Sequence, residues 1–470
     1  MHPAILRPNK QILKEVFFLS LPIILSNISR VIMELVDMIM INRLGAIDLF
    51  NGVSMGGILV WVPMSLAIGI RIATQTISSR RYGEKKYHQC GFALRHGLII
   101  AALMGTSLSI IGYLFSDNII PLVVSHEEHI VPTIEYAKYL SIGILPFYLA
   151  AIFQGFFTSI EKTSIHMKVM ITANIINIYL NAGFIYGFEI IDYFNNTNLS
   201  LISYLWFWAD FDGLKVMGSA IATTIATSLM LMHYIYYLFK DDINKKYAIL
   251  VSSINFDKLK NQFSLASPLF MSEFFLSTSY LAFYLIMENM TLTDFAAWTL
   301  ILRIMHASFM PAMGVGQACA TMVGKYLGEK SFEKARQSIL ESLRLTIGIM
   351  GFMGLLFILF PYTVINVFNS IKEATPQAAL GLRFIGIFQI FDAICIVLFF
   401  SMSAGGDIKY PVYVEILMHW LIMVPFSWLF GIYFGFGFWG ALSVFAAQAV
   451  FTAIIFILRI RTGKWEMIEV

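Results

Sequence analysis

Apolar residues run along this chain in twelve stretches, at about 16–41, 53–79, 92–115, 132–158, 166–187, 217–239, 263–289, 295–322, 339–368, 377–403, 411–434 and 437–459. Short polar or glycine-bearing segments separate them. A helix needs roughly 20 apolar residues to cross the hydrocarbon of a bilayer, and every run meets that length. The pattern predicts an all-α integral membrane protein with twelve transmembrane helices. Composition agrees: 58% of residues are hydrophobic and 13% charged, against about a quarter charged in soluble domains. No cleavable leader is expected, because no A-x-A site follows a basic, apolar N-terminal segment.

The polar breaks carry a repeat. Residues 69–87, GIRIATQTISSRRYGEKKY, return 245 positions later as GVGQACATMVGKYLGEKSF, matching at Gly69/Gly314, Ala73/Ala318, Thr76/Thr321, Gly83/Gly328, Glu84/Glu329 and Lys85/Lys330. Ser20-Leu21-Pro22 answers Ala266-Ser267-Pro268, and Gly218 opens run 6 as Gly440 opens run 12. The chain is therefore expected to be two homologous six-helix bundles: 1–239, a linker at 240–262, and 263–470. The first half carries roughly 22 extra residues in its 188–216 loop, read from the drop in repeat offset. Six spans per half give both repeats the same orientation, related by an axis along the membrane normal.

Charge changes the picture by fixing orientation. Of 32 Lys and Arg, 24 fall in the loops on the side that holds both termini. Cytoplasmic loops carry this excess, so both termini are expected in the cytoplasm of a multi-pass cell-membrane protein. The formal net charge of +3 then reflects topology, and no nucleic-acid partner is expected. Cys90, Cys319 and Cys395 show no zinc or disulfide spacing, the nine His are scattered, and neither a cofactor nor an enzymatic site is expected.

Ionisable groups within the runs are costly and mark function by default. Arg30, Glu34 and Asp37 in run 1 stack on one helix face, as do Asn174, Asn177 and Asn181 in run 5, with Thr223 in run 6. Such oxygen-rich sets suit a proton or Na⁺. The bland alternative is that the amides only hydrogen-bond neighbouring helices. In the second half Glu273, Asp392 with Gln389, and Glu415 with His419 are the acids; Glu415 and His419 read as a structural pair. Translating Asp37 by 245 lands on Ala282, and Asp392 back lands on Phe147, so the acidic chemistry is not duplicated. Arg71, which replaces Gly316 of the other repeat, Arg30, Arg303 and Glu34 are cleft or substrate candidates. Snorkelling to the interface is the alternative for the arginines, above all for Arg383.

Together these residues resemble the multidrug and toxic compound extrusion (MATE) family. Pro22, Asp37 and Asn42-Arg43-Leu44-Gly45 are similar to its span 1, Gly69…Thr74-Gln75…Gly83 to its span 2 exit, Asn174…Asn177…Asn181 with Gly187 to its span 5, Gly218…Thr223 to its span 6, and Gln389…Asp392 with Gly405-Gly406-Asp407 to its span 10. The resemblance implies a V-shaped pair of bundles and cation-coupled (H⁺ or Na⁺) antiport, exporting amphipathic or cationic organic compounds by alternating access. It implies an N-lobe cation site of Asp37, Asn177, Asn181 and Thr223, with Asp37, Asn177 and Asn181 ligating if the ion is Na⁺, and a C-lobe counterpart of Asp392 and Glu273. The expected partners are a small organic substrate and the lipid bilayer, and a monomer is expected. Two departures stand out: Glu273 follows Pro268 by only five residues, and Phe388 replaces an aromatic hydroxyl before Asp392. A lipid-linked oligosaccharide flippase of the same superfamily is the alternative, since it would use a cationic cleft.

Overall fold

A computed structural model describes residues 8–124, 127–197, 200–240, 242–250, 255–367 and 374–468. Lys372, Asn198 and part of the 240–262 linker lie outside the described residues. Almost everything described is helix, as it must be where lipid offers no partner for backbone N–H and C=O groups.

The first bundle holds α1 (Lys10–Asn42), α2 (Ile47–Gly83), α3 (Tyr87–Val123), α4 (Glu127–Ile142 continuing as Ile144–Ser159), α5 (Thr163–Tyr186) and α6 (Lys215–Lys240). The second holds α7 (Phe256–Glu288), α8 (Leu292–Gly328), α9 (Phe332–Leu359), α10 (Thr375–Ala404), α11 (Lys409–Tyr433) and α12 (Gly437–Arg461). Ten single helices and the α4 pair have the length and hydropathy to cross a membrane. The remaining helix, α8, is 37 residues long but diluted by Arg303, His306, Gln317 and its glycines. Most helices outrun the apolar stretches because polar residues cap them: Asn9 accepts from the Gln11 and Ile12 amides at the start of α1, and Asn255 from Lys258 at the start of α7. These two caps are repeat equivalents.

The pieces of α4 meet at 48°. Pro146 has no N–H to offer the Ile142 carbonyl, so the ladder breaks one residue after it, at Gly143. The repeat is visible in the backbone as well. Lys85 and Lys330 both sit in the left-handed region, at φ 58° and 57°, where each ends a long helix. The 188–216 segment forms short helices, including Phe188–Asn195, and anchors Trp206 by a 3.0 Å hydrogen bond to the Tyr179 carbonyl.

Each bundle has its own apolar core. A third cluster belongs to both: Ile12, Val16, Leu19 and Ile23 of α1 pack on Cys319, Met322 and Tyr326 of α8 and Ile339 of α9. The first half of α1 therefore leans on the second bundle, while Ile41 at its far end joins the first.

Candidate functional site

Three helices of the first lobe converge on one polar chain. Asn181 Nδ2 donates to Asp37 Oδ1 at 2.5 Å and to Asn177 Oδ1 at 3.0 Å, and Asn177 Nδ2 donates to Thr223 Oγ1 at 3.2 Å. The i, i+4 spacing of the two amides puts them one above the other on α5, which is why they bond each other. Asn174, one turn earlier, leaves the chain and donates to Ser29 Oγ at 2.5 Å. Asn177 and Asn181 are fully buried, while Asp37 and Thr223 are half-buried. Asn181 Oδ1 is buried without a hydrogen-bond partner among the described residues. An orphaned acceptor of this kind costs about 1–3 kcal/mol. Glu34 lies exposed one turn from Asp37, and Tyr136 of α4 is within electrostatic range of both acids.

The second lobe is built differently. Asp392 of α10 makes no hydrogen bond among the described residues and lies in electrostatic range of Tyr280 on α7. Gln389, one turn earlier, accepts from Ser308 at 2.7 Å instead. Glu273 on α7 neighbours Glu415 on α11, and Ser272 Oγ donates to Glu415 Oε2 at 3.0 Å. The expected Glu415–His419 side-chain pair is not made: His419 Nδ1 meets the Glu415 backbone carbonyl at 2.8 Å, while the Glu415 carboxylate turns across to α7. Periodicity along α11 could show a shared face but not a partner on another helix.

The arginines divide. Arg71 is 5% exposed, with Arg30 of α1 and Glu273 of the opposite lobe in electrostatic range. Arg303 and His306 are exposed on α8, and Arg383 is exposed on α10. Sequence reasoning missed His166, 1% exposed, whose Nδ1 meets Tyr234 Oη at 2.5 Å within reach of both Arg30 and Arg71. Among the described residues no three His, Cys, Asp or Glu side chains gather to hold a metal.

The lobes meet on the side that holds both termini, and the repeat is the meeting point. A Cβ on Gly83 would lie 1.9 Å from the Lys325 carbonyl oxygen, and one on Gly328 would lie 2.1 Å from that of Arg80. The two contacts exchange repeat-equivalent positions, and Gly324 abuts Ser79, its own equivalent. A pseudo-two-fold axis thus passes between α2 and α8. Around it Gln75 Nε2 donates to the Gln317 carbonyl at 2.8 Å and to Thr321 at 3.0 Å, Lys325 pairs with Glu161 at 2.6 Å, and Tyr326 donates to Glu15 at 2.6 Å. The side-chain hydrogen bond farthest from the terminal side that joins the lobes, among the described residues, is Asn27 to the Met310 carbonyl, midway along α1 and α8. Beyond it each lobe keeps its polar residues to itself, and the arrangement is closed on the terminal side.

Two repeated bundles joined at one membrane face, with acids and amides held at membrane depth, define a two-lobed polytopic membrane transporter. The MatE family model matches residues 22–182 and 268–429, and the chain belongs to that family of multidrug and toxic compound extrusion transporters. It is 23% identical over 459 residues to "Probable multidrug resistance protein NorM" of Mesorhizobium japonicum, spanning 95% of this chain and 93% of that one. To the protein of the same name from Thermotoga maritima it is 24% identical over 464 residues, 97% and 94% of the two chains. A solved structure described as the outward-facing conformation of a multidrug resistance MATE family transporter of the MOP superfamily superposes with a TM-score of 0.86 at 19% identity, covering 98% of this chain and 100% of that one. Both relatives are named as multidrug resistance proteins, and the flippase alternative has no support.

Proposed function

We propose that this protein is an antiporter of the cell membrane that exports organic compounds in exchange for H⁺ or Na⁺, with the Asp37–Asn181–Asn177–Thr223 chain as its coupling site. The observation that carries this reading is the unpartnered Asn181 Oδ1 beside a carboxylate at membrane depth. Either ion satisfies that oxygen. A proton on Asp37 supplies an O–H that the amide oxygen lacks, after the Asn181 side chain turns. A sodium ion draws on the Asp37, Asn181, Asn177 and Thr223 oxygens, all hard donors suited to it. Both remove the net charge of Asp37 and rearrange its contact with α5.

The placement of Lys and Arg supports a cytoplasmic terminal side, which makes the closed crossing of α2 and α8 the inner gate. Neutralising Asp37 resets how α1 sits on α5, and because the other half of α1 rests on the second lobe, the lobes rock to exchange access. Asp392 and Glu273 are the second lobe's ion or substrate contacts. The membrane potential supplies about 2.3 kcal/mol per charge per 100 mV, and a proton gradient adds roughly 1.4 kcal/mol per pH unit.

A growth panel of amphipathic compounds in an efflux-deficient host identifies an exported compound. Its efflux from proteoliposomes is then measured under an imposed Na⁺ or pH gradient. Wild type is expected to respond to one gradient and Asp37→Asn to neither; undiminished gradient-driven efflux by Asp37→Asn would refute the coupling role.

A further inference from the structure

The first lobe contains a second polar locus that the coupling chain does not use. Arg71 is 95% buried by its 5% exposure and makes no hydrogen bond or ion pair among the described residues. Room for its stem comes from α4, where a Cβ on Gly155 would come within 3.1 Å of the Arg71 side chain. Arg30 approaches from α1. His166 closes the set from α5, its Nδ1 paired with Tyr234 Oη and its Nε2 buried without a partner among the described residues. The locus thus gathers two guanidinium groups, which can only donate, and an imidazole, and no acceptor of their own lobe is hydrogen-bonded to either guanidinium among the described residues. The nearby acid, Glu273, stands on the opposite lobe and is itself a neighbour of Glu415. A buried guanidinium such as that of Arg71, left without an acceptor at membrane depth, costs several kcal/mol unless something accepts from it. The equivalent of Arg71 in the other repeat is Gly316, so the scaffold does not require an arginine there.

We propose that Arg71, Arg30 and His166 form a binding site for the anionic head of an organic amphiphile, a carboxylate, seated between the lobes. Glu273 is the stand-in counter-charge when the site is empty, and the arriving carboxylate displaces it. The inference rests on the exporter reading above and names a substrate class for it: compounds that carry an organic anion.

The test is equilibrium binding to the full-length protein in lipid nanodiscs, with empty nanodiscs subtracted and dansyl emission excited through tryptophan. The probes are dansylglycine and its neutral amide, which differ only at the carboxylate. Wild type is expected to bind the carboxylate at least tenfold more tightly. Arg71→Gln is expected to weaken carboxylate binding roughly tenfold and leave the amide unchanged, while Arg71→Lys retains part of the preference. Equal affinity for the two probes in wild type overturns the site, as does Arg71→Gln weakening both by the same factor. If Arg71→Gln does not elute as a folded, monodisperse protein, Arg71→Lys and Arg30→Gln carry the comparison, and an unchanged ratio in both overturns the proposal. No carboxylate preference in wild type, together with loss of gradient-driven efflux in Asp37→Asn, removes the anion site and leaves the antiport reading standing.

Discussion

Replacing Gly83 by alanine should open the terminal side of this transporter. The added Cβ would lie 1.9 Å from the Lys325 carbonyl oxygen, where ordinary contact begins near 3.4 Å, so α2 and α8 must part by about 1.5 Å. The obstructing atom is backbone, in the middle of a helical turn, and it has no rotamer to escape into. Overpacking of this kind costs about 1–3 kcal/mol, which is roughly a 5- to 150-fold shift between the closed state and one in which the helices are apart. Alanine's better helix propensity acts in both states and cancels from that ratio. Spin labels at Lys86 and Lys334, both exposed on the terminal side, report the opening by double electron–electron resonance once Cys90, Cys319 and Cys395 are replaced. A longer-distance population is expected in Gly83→Ala and in Gly328→Ala, its repeat equivalent. Gly348→Ala, where a Cβ meets nothing within 4 Å, should leave the distances as in wild type. Unaltered distances in both gate variants would refute the packing argument.

Lys85→Gly and Lys330→Gly should each raise thermal stability by up to about 1 kcal/mol, because both lysines hold a left-handed backbone that glycine adopts without strain; a lowered melting temperature in either would contradict this. Burial works to raise the Glu84 carboxyl, but hydrogen bonds from Lys86 and Arg81 outweigh it and hold the group below its ordinary range. Its depressed value means the stabilisation is present at neutral pH and lost as pH falls through the folded-state value, so Glu84→Gln should cost about 0.5 kcal/mol near pH 7 and nothing in acid. A pH-independent loss would show that charge is not the cause. Arg336 grips Glu466 through two hydrogen bonds, at 2.6 and 2.7 Å, and that pairing raises the already high guanidinium value. Arg336→Gln should release the C-terminal segment, read as faster tryptic cleavage after Arg461 and Lys464; an unchanged rate argues that buried Trp465 and the Arg80 bond to the Ile468 carbonyl hold it without Arg336.

What the chain's sequence could reveal follows from what periodicity measures. Run length is a property of one helix against lipid, and so the spans were legible from it. The α5 asparagines were legible for the same reason: amides on one face of an apolar helix need an inward target, and for Asn177 and Asn181 the groups of matching chemistry were Thr223 and Asp37, whereas Asn174 turns to Ser29. The turn of Glu415 toward Ser272 was not, since i, i+4 spacing offered His419 as the nearer partner and says nothing of which neighbouring helix lies alongside. His166 was invisible because its partner, Tyr234, is 68 residues away and reads as an apolar-face aromatic. The repeat predicted two bundles but not that its own signature would be the place where they touch.

That contact also bears on how such a chain can vary. Gly83 and Gly328 each face a carbonyl, a group every residue carries, so this contact does not itself fix the side chains opposite them: Arg80 and Lys325 differ between the copies. The glycines themselves have no such freedom. A duplicated gene ordinarily lets one copy drift while the other holds its role, yet here each half supplies the surface that constrains the other. Drift is therefore permitted almost everywhere along the two halves and forbidden at the crossing, and the signature survives there as the trace of a shared obligation.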